Sequence, residues 1–209
     1  MEIGRLAAIW RYPIKSLRGE SLASAEVTAT GIDGDRTSAL FVRAGHARTG
    51  KTYRGKENAQ LHLTANSEHA IALGKARGVT LERRSGERYF DTAPISLIVD
   101  RWLEELAAML GRPVEPERFR PNLFVRADAA FDAGEAALID RELHVGDVRL
   151  HVRKPIERCV VVTYDQRGDA SDPEILRLVT QRRNTWMGVL CDVVQPATLH
   201  TGDRVVSLM

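Results

Sequence analysis

Short apolar runs, several of them alternating with polar residues, recur along this chain between glycine, proline and aspartate punctuation, and the pattern predicts mostly strands. "RLAAIWRYPI" reads as a first strand closed by Pro13, and "SLASAEVTATG" as a second that ends at Gly31. "GIDGDR" is a turn in which Gly31 and Gly34 permit positive φ, and "TSALFVR" is a third strand. The polar, glycine-spotted "AGHARTGKTYRGKENAQL" is a loop whose length marks a working surface. "TANSEHAIALGKARG" predicts a helix with Asn66 or Ser67 as cap and Gly78 as stop. "VTLERRSGERYFD" predicts a hairpin turning at Ser85-Gly86. The clearest helical period lies in "DTAPISLIVDRWLEELAAMLG", where Leu97, Val99, Leu103, Leu106 and Leu110 form a stripe ended by Gly111.

After Pro121 the strand pattern returns in "NLFVRA", in a hairpin at Gly146-Asp147, and in "RCVVVTYD". "SDPEILRLVTQRR" predicts a third helix, with Asp172 as N-cap and Pro173 in its first turn. Two or three strands close the chain. About ten short strands and three helices with this turn spacing predict a mainly β protein of the α+β class. A closed or half-closed barrel is favoured over an alternating βαβ sheet. A boundary near residue 92, without a flexible linker, divides residues 1–92 from 93–209.

Composition narrows the function. With 44% hydrophobic and 28% charged residues, the chain is an ordinary globular one rather than a disordered one. A net charge of +2 gives little whole-molecule attraction to nucleic acid or membrane, so any anion site must come from local clustering. Two cysteines exclude a four-thiolate iron–sulfur or zinc site and any disulfide framework. The opening "MEIGRLAAIWRYPIKS" lacks a signal peptide's apolar core, and no run reaches membrane-spanning length. A cytoplasmic, monomeric protein is expected.

The candidate chemistry centres on "RKPIERCVVVTYD". A cysteine at a strand start is commonly a small buried hydrophobe. Arg158 and Lys154 change that reading for Cys159, because positive neighbours favour the thiolate, the form that attacks or binds metal. Cys191, in "GVLCDVV", has no such neighbours and reads as packed in a strand. Lys15 and Ser16, Arg36, and then Arg118, Arg120 and Asn122 all fall at strand ends, where arginine forks and lysine point charges can bind an anion. The six histidines have no metal-binding spacing and read as structural or surface residues. Asp165 and Asp169 read as turn residues. No phosphate-binding loop, dinucleotide fingerprint or nucleophile elbow is present.

"YPIKSLRGESL", "GIDGDR", "DTAPISL", "ERFRPNLFV", "ERC" and "LHTGDRV", in this order, resemble the MOSC family, the domain at the C-terminus of molybdenum cofactor sulfurases, preceded by its N-terminal β-barrel domain. The resemblance runs through nearly the whole chain. It implies a MOSC β-barrel packed against a smaller N-terminal β-rich domain, and a molybdenum cofactor (Mo-molybdopterin). In members of the amidoxime-reducing type the cysteine of the "RC" pair holds the metal, which here implies Cys159. The cofactor-lining positions correspond to Lys15, Ser16, Arg36, Arg120, Asn122 and Arg158. A thiolate suits a metal already held by dithiolene sulfur, and scattered cations suit a phosphorylated cofactor.

Two features depart from the family pattern. The region 44–91 is compressed, and "WMGVL", with Met187-Gly188, stands in place of the family's usual Phe-Gly pair at the outer wall of the pocket. The implied activity is reduction of N-hydroxylated small molecules, with electrons from a separate flavin or iron–sulfur reductase. A sulfur carrier passing a persulfide from Cys159, and a module that only stores the cofactor, are the alternatives.

Overall fold

The computed structural model describes residues 1–90, 92–168 and 170–208. In chain order the strands are β1 (Glu2–Arg11), β2 (Glu20–Leu22), β3 (Ser24–Thr28), β4 (Gly31–Ile32), β5 (Ser38–Ala44), β6 (Thr80–Ser85), β7 (Ile95–Val99), β8 (Leu123–Ala127), β9 (Glu142–Val145), β10 (Val148–Glu157), β11 (Trp186–Gln195), β12 (Thr198–His200) and β13 (Arg204–Ser207). The helices are α1 (Ser67–Lys75), α2 (Asp100–Leu110) and α3 (Pro173–Arg182). Among the described residues this makes thirteen strands and three α-helices. The excess over the expected ten comes from two- and three-residue strands too short to show a period.

Seven strands close a barrel in the order β13-β9-β10-β11-β7-β8-β1, with β1 pairing back to β13. β2 attaches to the far end of β1. Every barrel pair is antiparallel except β7–β8, whose parallel register aligns Leu97 with Leu123 across the α2 crossover. The barrel interior is filled by alternating residues such as Leu143, Val145, Val148, Leu150 and Val152, all fully buried. Trp102, Leu103 and Leu106 of α2, and Ile175, Leu178 and Val179 of α3, complete this core from outside. A second, smaller core joins β5, β6 and α1 through Leu40, Val42, Leu61, Ala70 and Leu81.

Four expectations need correction. The second predicted strand is broken at Ala23: β2 pairs with β1, while β3 pairs with β4 and β12, so the chain changes sheets within it. There is no hairpin at Ser85-Gly86, because β6 pairs back with β5 and the next strand, β7, begins at Ile95 and pairs with β8 and β11. The predicted long helix begins only at Asp100. Ile95–Val99 is β7, five consecutive buried residues between β11 and β8, and a short, wholly buried apolar run looks alike in either conformation. Finally, "RCVVVTYD" is not a strand. β10 ends at Glu157 and Val160–Thr163 form a 3-10 turn.

The remaining boundaries follow the local chemistry. Asn66 caps α1, its side chain accepting from the Glu68 and His69 N–H groups, and Gly111 ends α2 at φ +70°. Asp172 occupies the N-cap position of α3, but its carboxylate pairs with Arg112 rather than capping.

Candidate functional site

Where the end of β10 meets the smaller core lies a cavity of about 490 Å³. Its lining includes Lys15, Ser16, Arg36, Arg120, Asn122, Arg158 and Cys159, so residues spread over more than 140 positions converge on one space. Among the described residues, eight lysines and arginines line it against one carboxylate, Glu157. Local clustering therefore supplies the positive field that the net charge does not.

Three of these residues hold their side chains in place at a backbone cost. Six described non-glycine residues have positive φ, and Ser16 (71°), Arg36 (48°) and Arg120 (52°) are three of them. A left-handed residue that bears a Cβ costs about 1–3 kcal/mol and persists where surrounding structure over-determines it. The Arg36 N–H donates to the Tyr12 carbonyl (2.8 Å), the Arg120 N–H to the Glu117 carbonyl (3.0 Å), and the Lys15 N–H to the Ser38 carbonyl (2.8 Å).

Tyr12 and Asn122 organise the basic residues. Tyr12 is 3% exposed, its N–H donates to Asp35 Oδ1 (2.7 Å), and its hydroxyl donates to the Pro121 carbonyl (3.2 Å). The Arg36 and Arg120 guanidiniums lie 5.0 and 4.3 Å from its ring centroid. Burial pushes the Tyr12 hydroxyl up to about 12. Asn122 is 1% exposed; its Oδ1 accepts from the Ser96 N–H (3.2 Å), Ser96 Oγ (2.9 Å) and Arg36 Nη1 (3.2 Å), and its Nδ2 donates to the Trp10 carbonyl (3.2 Å). Asn122 is thus a brace tying β1, β7 and the Arg36 turn together.

The arginines divide by their partners. Arg36 is ion-paired with the buried Asp35. Arg120 and Arg158 have no described carboxylate within 4 Å, and their polar partners are backbone carbonyls. Arg120 Nη2 donates to Leu17 O (2.6 Å), while Arg158 donates from Nε to Met187 O (2.8 Å) and from Nη1 to Phe119 O (2.8 Å). Burial drives Arg120 down to about 10 and Arg158 down to about 9. Guanidiniums stay protonated at neutral pH, so both side chains remain cations that give up part of their solvation with no described carboxylate beside them, at a cost. An anion in the cavity would offset it.

Cys159 is half-buried, in extended conformation (φ −137°, ψ −178°), between the end of β10 and the 3-10 turn. The thiol is therefore aimed by a strand end and a turn rather than by a strand starting at it. The Met187-Gly188 pair of "WMGVL" is not part of the cavity wall. Met187 is fully buried and Gly188 lies at φ +87°; neither lines the cavity, and the Met187 carbonyl holds Arg158 from behind. Cys191 is buried in β11, with its thiol pKa raised by burial.

Other lining residues had no signal in the sequence. His62, read as structural, is 4% exposed, stacks on Tyr164 (5.6 Å between centroids, 14° between planes) and bonds through Nε2 to the Asp165 carbonyl. A carbonyl only accepts, so Nε2 carries the proton. Burial lowers the His62 pKa. Only the folded chain brings His62 to a loop 103 residues away. Asp165 accepts from the Arg167 N–H (2.8 Å), as a turn residue does; Asp169 lies outside the described residues. No cluster of His, Cys, Asp and Glu with metal-binding geometry occurs among the described residues, and no described helix is long and apolar enough to cross a membrane.

Residues 82–206 match the MOSC domain, and residues 3–88 match the MOSC N-terminal beta barrel domain. The chain belongs to the MOSC domain family. It is 23% identical to mitochondrial amidoxime reducing component 2 of Bos taurus over 230 residues, covering 78% of this chain and 67% of that protein. Its fold is similar to the crystal structure of the YUAD protein from Bacillus subtilis, with a TM-score of 0.59, 16% identity, and coverage of 98% and 94% of the two chains. A crystal structure of a hypothetical protein matches at a TM-score of 0.50 with 12% identity, covering 100% of this chain and 69% of that one. These structures establish the MOSC-like barrel fold and leave the activity to be argued from the cavity.

Proposed function

We propose that this MOSC protein binds a molybdenum cofactor and reduces N-hydroxylated compounds. The carrying observation is that the half-buried Arg120 and Arg158 are met, among the described residues, by backbone carbonyls and no carboxylate, in the cavity that also holds the Cys159 thiol. A phosphorylated, dithiolene-bearing cofactor is the kind of anion this arrangement accommodates, and a thiolate is a soft ligand suited to its metal. The relationship to an amidoxime reducing component, distant as it is, supports the same reading.

In this reading Cys159 supplies the protein ligand. Arg120, Arg158 and Lys15 supply counter-charge, Ser16 a hydroxyl, and Arg36 a fork held in place by Asp35 and Asn122. The bound cofactor supplies two-electron redox chemistry. The net reaction converts R–NHOH, two electrons and two protons into R–NH2 and water, the electrons coming from a separate reductase protein. The protein's contribution is orientation and a pre-arranged positive field, which needs no reorganisation during the reaction.

The test is molybdenum and pterin content per chain, for protein made in a cofactor-synthesising host, in the wild type and Cys159→Ser. Near-stoichiometric metal that is lost or spectrally altered in the variant is expected, with reduction of 6-hydroxylaminopurine by the loaded wild type. Metal-loaded protein that fails to reduce it with a competent donor refutes the reductase reading. The half-buried, solvent-reachable Cys159 also fits a sulfur carrier. Absence of metal together with a reducible persulfide mass on Cys159 would favour that second reading.

A further inference from the structure

Two cations in the cavity differ from the rest. Lys56 and Lys154 both line it and both are exposed, so they stand at its mouth, and neither has a described carboxylate within 4 Å. Each is placed by a specific local device. In β10 the register with β11 slips between Val152 and Lys154. This bulge turns Arg153 away, onto Asp192 (2.8 and 2.7 Å) and the Thr92 carbonyl (2.9 Å), and turns Lys154 toward the cavity. Lys56 rides on a closed turn in which the Glu57 carboxylate accepts from the Arg54 N–H (2.8 Å) and from Arg54 Nη2 (2.6 Å). That turn seats Gly55 against Val161, two residues past Cys159: a Cβ on Gly55 would stand 3.4 Å from the Val161 side chain.

We propose that Lys56 and Lys154 form an anion subsite at the cavity mouth, and that the preferred substrates are N-hydroxylated compounds carrying a phosphate or carboxylate. This rests on the reductase reading above. The buried arginines serve the cofactor, and the mouth lysines remain for the substrate. Ammonium groups on flexible four-carbon stems suit a point charge whose position varies between substrates. Glu157 shares the mouth, and among the described residues the three exposed lining charges, two lysines and one glutamate, still sum to +1. The deeper arginines extend the same field outward and draw anions in.

The experiment compares neutral and charged partners of one reacting group on cofactor-loaded protein: N6-hydroxyadenosine against its 5′-monophosphate, and benzamidoxime against 4-carboxybenzamidoxime. The charged member is expected to have kcat/KM higher by about tenfold, mainly through KM, with the advantage shrinking at high salt. The double variant Lys56→Gln/Lys154→Gln should lose that advantage, bringing the ratio of charged-member to neutral-member kcat/KM to about one in each pair. A gain confined to one pair assigns phosphate or carboxylate. Equal kcat/KM in both pairs, or a preference that survives the double variant, overturns the subsite. If loaded protein reduces none of the four, the reductase reading fails, and calorimetry of adenosine 5′-monophosphate against adenosine decides the subsite by itself. Tighter binding of the monophosphate that is lost in the double variant supports it; equal binding refutes it.

Discussion

Replacing Asn122 by alanine tests whether the cavity is built on a structural brace or on side chains that wait for a ligand. The Asn122 side chain makes four hydrogen bonds: three accepted, from the Ser96 N–H, Ser96 Oγ and Arg36 Nη1, and one donated to Trp10 O. Each neutral bond contributes about 0.5–1.5 kcal/mol and the charged one about 1.5–3. Their geometry is on the long side and Ser96 Oγ can turn to another acceptor, so a total loss of about 3 kcal/mol is expected. For a chain of this size that lowers Tm by roughly 6–12 °C. The assay is urea and thermal unfolding of cofactor-free protein, followed by circular dichroism. Cofactor-free protein is the right material, because a residue that only touched the cofactor would leave its stability unchanged. A loss below about 1 kcal/mol would falsify the brace and return Asn122 to the role of a ligand contact.

Ser16→Gly should relieve a left-handed residue and leave the cofactor-free protein as stable as the wild type or up to about 1 kcal/mol more stable, while lowering molybdenum content; reduced stability would refute the backbone-cost argument. Gly188→Ala puts a Cβ 2.7 Å from the Leu97 carbonyl at φ +87°, so a loss of about 2–4 kcal/mol is expected in denaturant melts, and a wild-type melt would refute the close approach. In native protein an alkylating reagent should modify Cys159 and spare Cys191, which is buried with its thiol pKa raised; peptide mass mapping that finds Cys191 labelled before unfolding contradicts this. Burial lowers the His62 pKa from its ordinary 6.5, so below that pH the unfolded chain binds the extra proton and stability falls as pH drops through the folded value. His62→Gln should flatten the stability profile on the acid side, and an unchanged slope would refute the assignment.

How far the sequence could be read varied with the range of the interactions involved. The β9–β10 hairpin at Gly146-Asp147, the Asn66 cap and the Gly111 stop are set by neighbours within a few residues, and they stand where the pattern places them. The ordered motifs likewise pointed to Lys15, Ser16, Arg36, Arg120, Asn122, Arg158 and Cys159, which the fold brings to one cavity. Errors arose where a partner far along the chain overrides local preference. Ile95–Val99 is a strand because β8 and β11 flank it, and the valines after Cys159 turn rather than extend because β10 has already ended.

What the sequence determined by itself is the class of chemistry: a thiol and a set of cations at the ends of short strands, in a mainly β chain of the MOSC family. Only the tertiary structure decided which cations keep their charge available. Arg36 is neutralised by its neighbour Asp35, whereas Arg120 and Arg158 meet, among the described residues, carbonyls from other segments, at Leu17, Phe119 and Met187. The bulge in β10 that sends Arg153 to Asp192 and Lys154 to the cavity also depends on the register with β11. The physical reason is common to both. A side chain's type is local, but its solvation, its counter-ion and its direction are properties of the space around it, and that space is assembled from parts of the chain more than a hundred residues apart.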